Sequence, residues 1–183
     1  MKPEILDCTL RDGGLVNRFF FSDEFVRDLY LTNLEVGVDY MEFGYKASEK
    51  QFNWKDFGKL KFCREEDIRQ VVGDHSSKMK ISVMADVGRT ERGSILARKD
   101  SVIDMIRIAT YSSTIPEAIE LIEECHEKGY ETSVNIMAVS SDTESRIHKF
   151  LGEFCDSSVD VIYLVDSFGA FYPEQIRKLS NLY

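Results

Sequence analysis

The sequence predicts a parallel α/β fold, and three observations carry that prediction. Six short apolar runs rich in β-branched and aromatic residues recur along the 183 residues, helical patterns with their own start and stop signals lie between them, and no linker or low-complexity stretch interrupts the alternation. Several runs are apolar on both faces, as in Val161, Ile162, Tyr163, Leu164 and Val165. That is the pattern of strands covered by helices on one side and by a core on the other.

Taken in order, the first strand spans residues 4–8 and leads into Arg11, Asp12, Gly13 and Gly14, where strand is expected to become loop. A helix begins at Ser22 and carries Phe25, Val26 and Leu29 on one face. Strands follow at 40–43, 80–85 and 105–109. Residues 114–129 form the clearest helix: Thr114 and Glu117 match a capping box, Pro116 suits the first turn, and Ile115, Ala118, Ile119, Ile122 and Cys125 recur at helical spacing before Lys128 and Gly129 close it. A strand at 132–138, a helix from about Asp142 with Ile147, Leu151 and Phe154 inward, and a strand at 161–165 come next. The last helix opens at Tyr172, Pro173 and Glu174 and carries Ile176 and Leu179.

A hydrophobic fraction of 43% and a charged fraction of 30% suit one globular domain over residues 1–183 with a substantial core. A net charge of -9 argues against nucleic acid or an anionic membrane as partner. Neither a signal segment nor an apolar run of about 20 residues is found, so a cytoplasmic location is expected. Cys8, Cys63, Cys125 and Cys155 contain no CxxC pair and are expected to be reduced and mainly buried. His75, His126 and His148 are isolated from one another and read as surface or loop residues rather than metal ligands.

Two architectures fit about six strand-helix units, an open doubly wound sheet and a (β/α) barrel. A complete eight-stranded barrel needs at least about 200 residues, so length favours the open sheet. No GxGxxG or GxxxxGK[ST] follows any strand, which removes the usual phosphate-binding reason for that choice.

In either architecture ligands gather at the carboxyl ends of the strands. Arg11 and Asp12 stand there, where a carboxylate could hold a divalent cation while a guanidinium faces a substrate oxyanion. A salt bridge closing a turn, with Gly13 and Gly14 serving positive φ, explains the same residues equally well. The other strands offer Glu42, Asp86, Arg107, Asn135 and the pair Asp166 and Ser167. Polar groups embedded in apolar strands are costly unless paired or used, and their recurrence points to one shared site. Glu42 bridging to Arg107 or Arg11 for purely structural reasons is the competing reading.

The segments LDCTLRDGG, MEFGY, IRIATYSSTIPEAIELIEECHEKGYETSVNIM and LVDSFGAFYPEQI together resemble the HMG-CoA lyase-like, or DRE-TIM, metallolyase superfamily, most closely its 4-hydroxy-2-oxovalerate aldolase branch. The resemblance runs from the first strand to the end of the chain. It implies a TIM (β/α)8-type barrel truncated to about six β/α units, C-terminally incomplete. It implies a divalent cation, Mn²⁺ or Mg²⁺, with Asp12 as a ligand, and a small 2-oxo acid substrate related to pyruvate. Arg11 then neutralises the enolate oxygen, Glu42 orients Arg11, and Ser167, Asp166 and Arg107 hold the substrate. The family takes further metal ligands from an HxH motif on the seventh strand, beyond the residues present here. The aldolases also carry a base histidine soon after the RDG, where this chain reads Gly13, Gly14, Leu15, Val16 and Asn17. A Claisen-type acyl-CoA condensing enzyme and a non-catalytic barrel module are the alternatives. Exposed sheet edges in a six-unit piece add self-association into a homo-oligomer as a further expectation.

Overall fold

The computed structural model describes residues 3–73 and 77–183. Among these residues six strands form one sheet: β1 (Leu6–Asp7), β2 (Tyr40–Tyr45), β3 (Lys80–Asp86), β4 (Met105–Tyr111), β5 (Glu131–Met137) and β6 (Val161–Tyr163). They are ordered β1-β2-β3-β4-β5-β6 and every pair is parallel. A doubly wound sheet reverses its strand order at a switch point, and this one does not. The sheet curls: Arg107 on β4 reaches Cys8, the residue after β1, at 3.7 Å. Three strand spacings would hold those strands about 14 Å apart in a flat sheet. The architecture is therefore a six-stranded part of a (β/α) barrel, and the expectation of an open sheet from length alone is overturned.

Among the described residues six helices accompany the strands: α1 (Thr9–Asn17), α2 (Asp23–Val36), α3 (Glu65–Val72), α4 (Ile115–Glu127), α5 (Glu144–Cys155) and α6 (Pro173–Leu179). Ser22 caps α2 by accepting the Phe25 N–H at 3.2 Å, and Thr143 caps α5 through the Arg146 N–H at 3.3 Å. The capping box expected at Thr114 does not form. Its hydroxyl turns instead to Thr110 Oγ1 at 2.9 Å and Tyr111 O at 3.3 Å, tying α4 to the end of β4. β3 and β4 are joined without an α-helix, by 3₁₀ turns at Arg92–Ser94 and Arg98–Asp100, since the intervening residues lack helical apolar spacing. Of the face expected to carry Phe25, Val26 and Leu29, Val26 is buried while Phe25 is exposed and stacks on Phe21 at 5.7 Å; Ile176 on the last helix is exposed and Leu179 buried.

Side chains alternate along each strand. Ile81, Val83 and Ala85, Ile106 and Ile108, and Val134 and Ile136 face the helices and build the apolar core with Leu10, Val26, Ile68, Ile122 and Phe154. The opposite parity faces the barrel interior: Glu42, Ser82, Arg107, Ser133 and Asn135, all buried. At the amino-terminal end of the strands Tyr40, Lys80 and Glu131 join β2, β3 and β5, with Tyr40 donating to Glu131 at 2.7 Å and Lys80 to Glu131 at 2.5 Å. A repeated device fixes the same end. Asp39, Asp104 and Asp160, just before β2, β4 and β6, each accept a backbone N–H at 2.8 Å from the start of the preceding strand, from Ile5, Ile81 and Thr132.

Among the described residues no helix is long and apolar enough to cross a membrane. All four cysteines are free; Cys63 and Cys125 are buried, Cys8 is partly buried and Cys155 exposed. His126 and His148 are exposed, and His75 lies outside the described residues.

Candidate active site

The segment carrying Arg11 and Asp12 is helical, not a loop. Asp7 opens α1 by accepting the Thr9 hydroxyl at 2.7 Å, and the helix ends at Arg18 in the left-handed region, φ 55°. Gly13 and Gly14 do not have positive φ. Gly14 is required for another reason: a Cβ there would lie 2.2 Å from the Phe19 ring, which folds back beneath α1 and is 2% exposed. Asn17 holds this reversal, accepting the Phe19 N–H and donating to Phe20 O, each at 3.0 Å. The helix is thus clamped over the carboxyl ends of β1 and β2 with Arg11 turned toward the barrel axis.

Glu42 is the hub. Fully buried, its Oε2 accepts from Arg11 Nε and pairs with Arg107 NH1, both at 2.8 Å. The two competing partners proposed from sequence are therefore both present. Arg11 also pairs with Asp12 through NH1. Burial opposes the charge on Arg11, but Glu42 and then Asp12 more than offset it, so its pKa is held above the ordinary guanidinium value. Arg107 extends the network to Asn135 Oδ1 at 3.2 Å and lies 4.6 Å from the Tyr163 ring centroid. The Cys8 thiol is pushed up to about 11, by burial first and then by the Glu42 charge, so it stays protonated at neutral pH. Asp86, at the end of β3, is raised by burial, with Lys61, Arg89 and Arg11 opposing.

Within this interior Glu42 Oε1, Ser82 Oγ, Arg107 Nε, Ser133 Oγ and Asn135 Nδ2 are buried with no hydrogen-bond partner among the described residues. Such atoms are uncommon in a finished core and mark a surface made to meet something polar.

Asp12 stands at the mouth with its side chain 63% exposed. Among the described residues no group of three or more His, Cys, Asp or Glu is arranged to hold a metal ion. Asp12 fits as a single ligand, in the manner of a hard cation held by one or two carboxylates and completed by substrate oxygens. Asp166 and Ser167 stand in the turn after β6. Asp166 closes its own turn, accepting the N–H groups of Phe171 and Ala170 at 3.0 Å, which depress its pKa. Ser167 accepts the Ala138 N–H at 3.1 Å and so ties this turn to the end of β5. Among the described residues no hydrogen bond or ion pair links either to the Arg11, Glu42 and Arg107 cluster. Sequence reasoning gave no site role to Cys8 or Tyr163. The signal available for Tyr163 was parity, since it is the register partner of the inward-facing Asn135.

An interior in which the partly buried Arg11 and the buried Arg107 converge on one carboxylate, with a second carboxylate at the carboxyl-terminal mouth, fits the barrel that the motifs resemble. The particular relatives agree. The chain is 26% identical over 174 residues to 4-hydroxy-2-oxovalerate aldolase 3 of Rhodococcus jostii (strain RHA1), covering 94% of this chain and 50% of that protein. It is 27% identical over 184 residues to 4-hydroxy-2-oxovalerate aldolase of Thermomicrobium roseum, covering 96% and 49%. Oxaloacetate decarboxylase of Mycobacterium tuberculosis is 24% identical over 181 residues, covering 97% and 52%. Among solved structures, the N-terminal domain of a candidate aldolase from Bacteroides vulgatus superposes with a TM-score of 0.75 at 25% identity, covering 98% of this chain and 60% of that one. HMG-CoA lyase from Brucella melitensis superposes with a TM-score of 0.68 at 15% identity, covering 98% and 66%, which supports the fold alone. No family model matches the chain. The chain spans about half the length of the curated relatives it matches. It is similar to proteins named 4-hydroxy-2-oxovalerate aldolase and oxaloacetate decarboxylase, names that denote carbon-carbon lyases.

Proposed function

We propose that this chain carries the first-strand half of a divalent-metal-dependent carbon-carbon lyase site that makes or consumes pyruvate from a small 2-oxo acid. The observation that supports it most is Arg11, fixed by the buried Glu42 and set beside the exposed carboxylate of Asp12 at the carboxyl ends of the strands. Asp12 is the residue that would hold the cation, Mn²⁺ or Mg²⁺, which when bound supplies Lewis acidity toward the 2-oxo acid.

Arg11 meets the negative charge that develops on the 2-oxo oxygen as the carbon-carbon bond breaks. Because its guanidinium is already oriented by Glu42, little reorganisation is needed as that charge appears. Glu42 is a positioning residue, and Arg107 balances the charge that Glu42 carries into the interior. Gly13 to Asn17 contain no histidine, so the aldol proton is taken by another group.

The test is pyruvate release from oxaloacetate and from 4-hydroxy-2-oxo acids, followed by coupled lactate dehydrogenase in the presence of Mn²⁺. Arg11→Ala is expected to lower turnover by about 100- to 1000-fold, the range found when one oxyanion donor is removed. Turnover by wild type equal to that of free Mn²⁺, or by Arg11→Ala equal to that of wild type, would overturn the reading.

A further inference from the structure

A bulge in β2 turns Tyr45 into the barrel interior. The register between β2 and β3 shifts after Glu42, so that Tyr45 rather than Gly44 opposes Met84. Met84 in turn opposes the inward-facing Arg107, which gives Tyr45 the parity of Glu42 at a level nearer the mouth. Gly44 permits the bulge, since a Cβ there would lie 2.0 Å from the Leu60 carbonyl oxygen of the segment that follows β2.

The Tyr45 ring is held on two sides. Phe19, folded beneath α1, meets it edge-on at 5.7 Å with the ring planes 87° apart, and the Lys61 ammonium stands 4.5 Å from its centroid. Lys61 is itself 8% exposed and also faces Phe52 at 4.4 Å, so the clamp has little freedom. Its hydroxyl is thereby set next to the Arg11 guanidinium, with Asp86 and Glu42 the other charges that act on it. Burial first, and then Asp86, push the hydroxyl's pKa up while Arg11 opposes, so it keeps its proton at neutral pH.

That proton has a use in the reaction proposed above. Whichever bond to C3 of the 2-oxo acid breaks, the pyruvate enolate must gain a proton there, and C3 is joined to the carbon whose oxygen Arg11 meets. The other groups around Arg11 are committed or lie deeper. Glu42 holds two guanidiniums, Asp12 is the proposed ligand of the cation, and Cys8, level with Glu42, lies 3.7 Å from Arg107.

Resting on that reading, we propose that Tyr45 is the catalytic acid that delivers the proton to C3 of the pyruvate enolate. The enolate π electrons form the new C3–H bond, the Tyr45 O–H bond breaks, and its electron pair stays on the phenolate oxygen beside Arg11. The phenolate regains a proton from the solvent buffer. In reverse, the phenolate removes a methyl proton from pyruvate, so the same group exchanges those protons with solvent.

The test is deuterium uptake into the pyruvate methyl group in D₂O with Mn²⁺, read by mass spectrometry, alongside Mn²⁺ calorimetry with and without oxalate. Wild type is expected to exchange faster than free Mn²⁺. Tyr45→Phe, which keeps both ring contacts, is expected to fold with the wild-type Tm and to exchange about 100-fold or more slowly, the contribution of a positioned general acid. Oxalate should still tighten Mn²⁺ binding in Tyr45→Phe, a readout that a merely structural role would move. Exchange by Tyr45→Phe at the wild-type rate would overturn the proposal, as would loss of exchange together with loss of the oxalate effect or of the fold. Wild type that shows the oxalate effect but no exchange above free Mn²⁺ would overturn the role of Tyr45 alone; wild type that shows neither would overturn the pyruvate reading and this proposal with it.

Discussion

Replacing Glu42 by Gln removes the one carboxylate on which the buried Arg107 and the partly buried Arg11 converge. Glu42 is fully buried, and its partners have side chains only 16% and 7% exposed, so water cannot take over the lost role. Breaking one partner out of a buried ion pair costs about 3–5 kcal/mol, because a charge is stranded in a poorly solvating interior. For a chain of this length each kcal/mol moves Tm by about 2–4 °C, so Glu42→Gln should unfold roughly 6–20 °C below wild type. Adding Arg107→Met to Glu42→Gln should recover part of the loss, with a coupling of about 0.5–3 kcal/mol by double-mutant cycle. Thermal unfolding by circular dichroism reads both. A Tm for Glu42→Gln within about 2 °C of wild type, or strict additivity with Arg107→Met, would refute the account of Glu42 as the hub.

The adjacent glycines of α1 separate its helical structure from a turn. Gly13→Ala meets only ordinary contact, 3.6 Å from Phe21, and should leave stability unchanged or raise it by up to about 1 kcal/mol, whereas Gly14→Ala drives its Cβ into Phe19 and should cost about 1–3 kcal/mol by urea unfolding. Equal losses in both would mean that these glycines serve positive φ after all. The thiols make stability fall at alkaline pH. Cys8 is raised to about 11 and Cys125 to about 12 by burial, from an ordinary value of 9.0, so the folded chain holds protons that the unfolded chain releases. Their contribution is complete below pH 9 and lost as pH rises through the folded values, with a slope of about 1.4 kcal/mol per pH unit for each thiol. Denaturant titrations at pH 8 to 11 should show Cys8→Ser flattening this fall, and an unchanged slope in Cys8→Ser would contradict the raised value.

Parallel strands were legible in the sequence because runs such as residues 161–165 are apolar on both faces, and the strand-end polar groups Glu42, Arg107 and Asn135 were legible because charge inside an apolar strand demands a use. They do converge, through Glu42 and Arg107. Barrel and open sheet were not separable by periodicity, since both alternate strand and helix; strand order distinguishes them. Arg11 to Gly14 read as a loop because paired glycines suggest positive φ, whereas here Gly14 makes room for an aromatic ring that arrives from five residues later. Thr114 matched a capping box but found a nearer partner in Thr110, a competition only tertiary placement decides. Asp39, Asp104 and Asp160 share a simple pattern, an aspartate between an apolar residue and a strand, which was present in the sequence as a repeat.

The most direct measurement of the central claim is Mn²⁺ titration of the chain by calorimetry, with and without oxalate as a mimic of the pyruvate enolate, for wild type and Asp12→Asn. The account predicts that oxalate tightens Mn²⁺ binding to wild type by at least about tenfold, within the range of ordinary coupling between linked ligands, and that Asp12→Asn abolishes this binding. Mn²⁺ affinity that ignores oxalate, or that is the same in Asp12→Asn as in wild type, would contradict it.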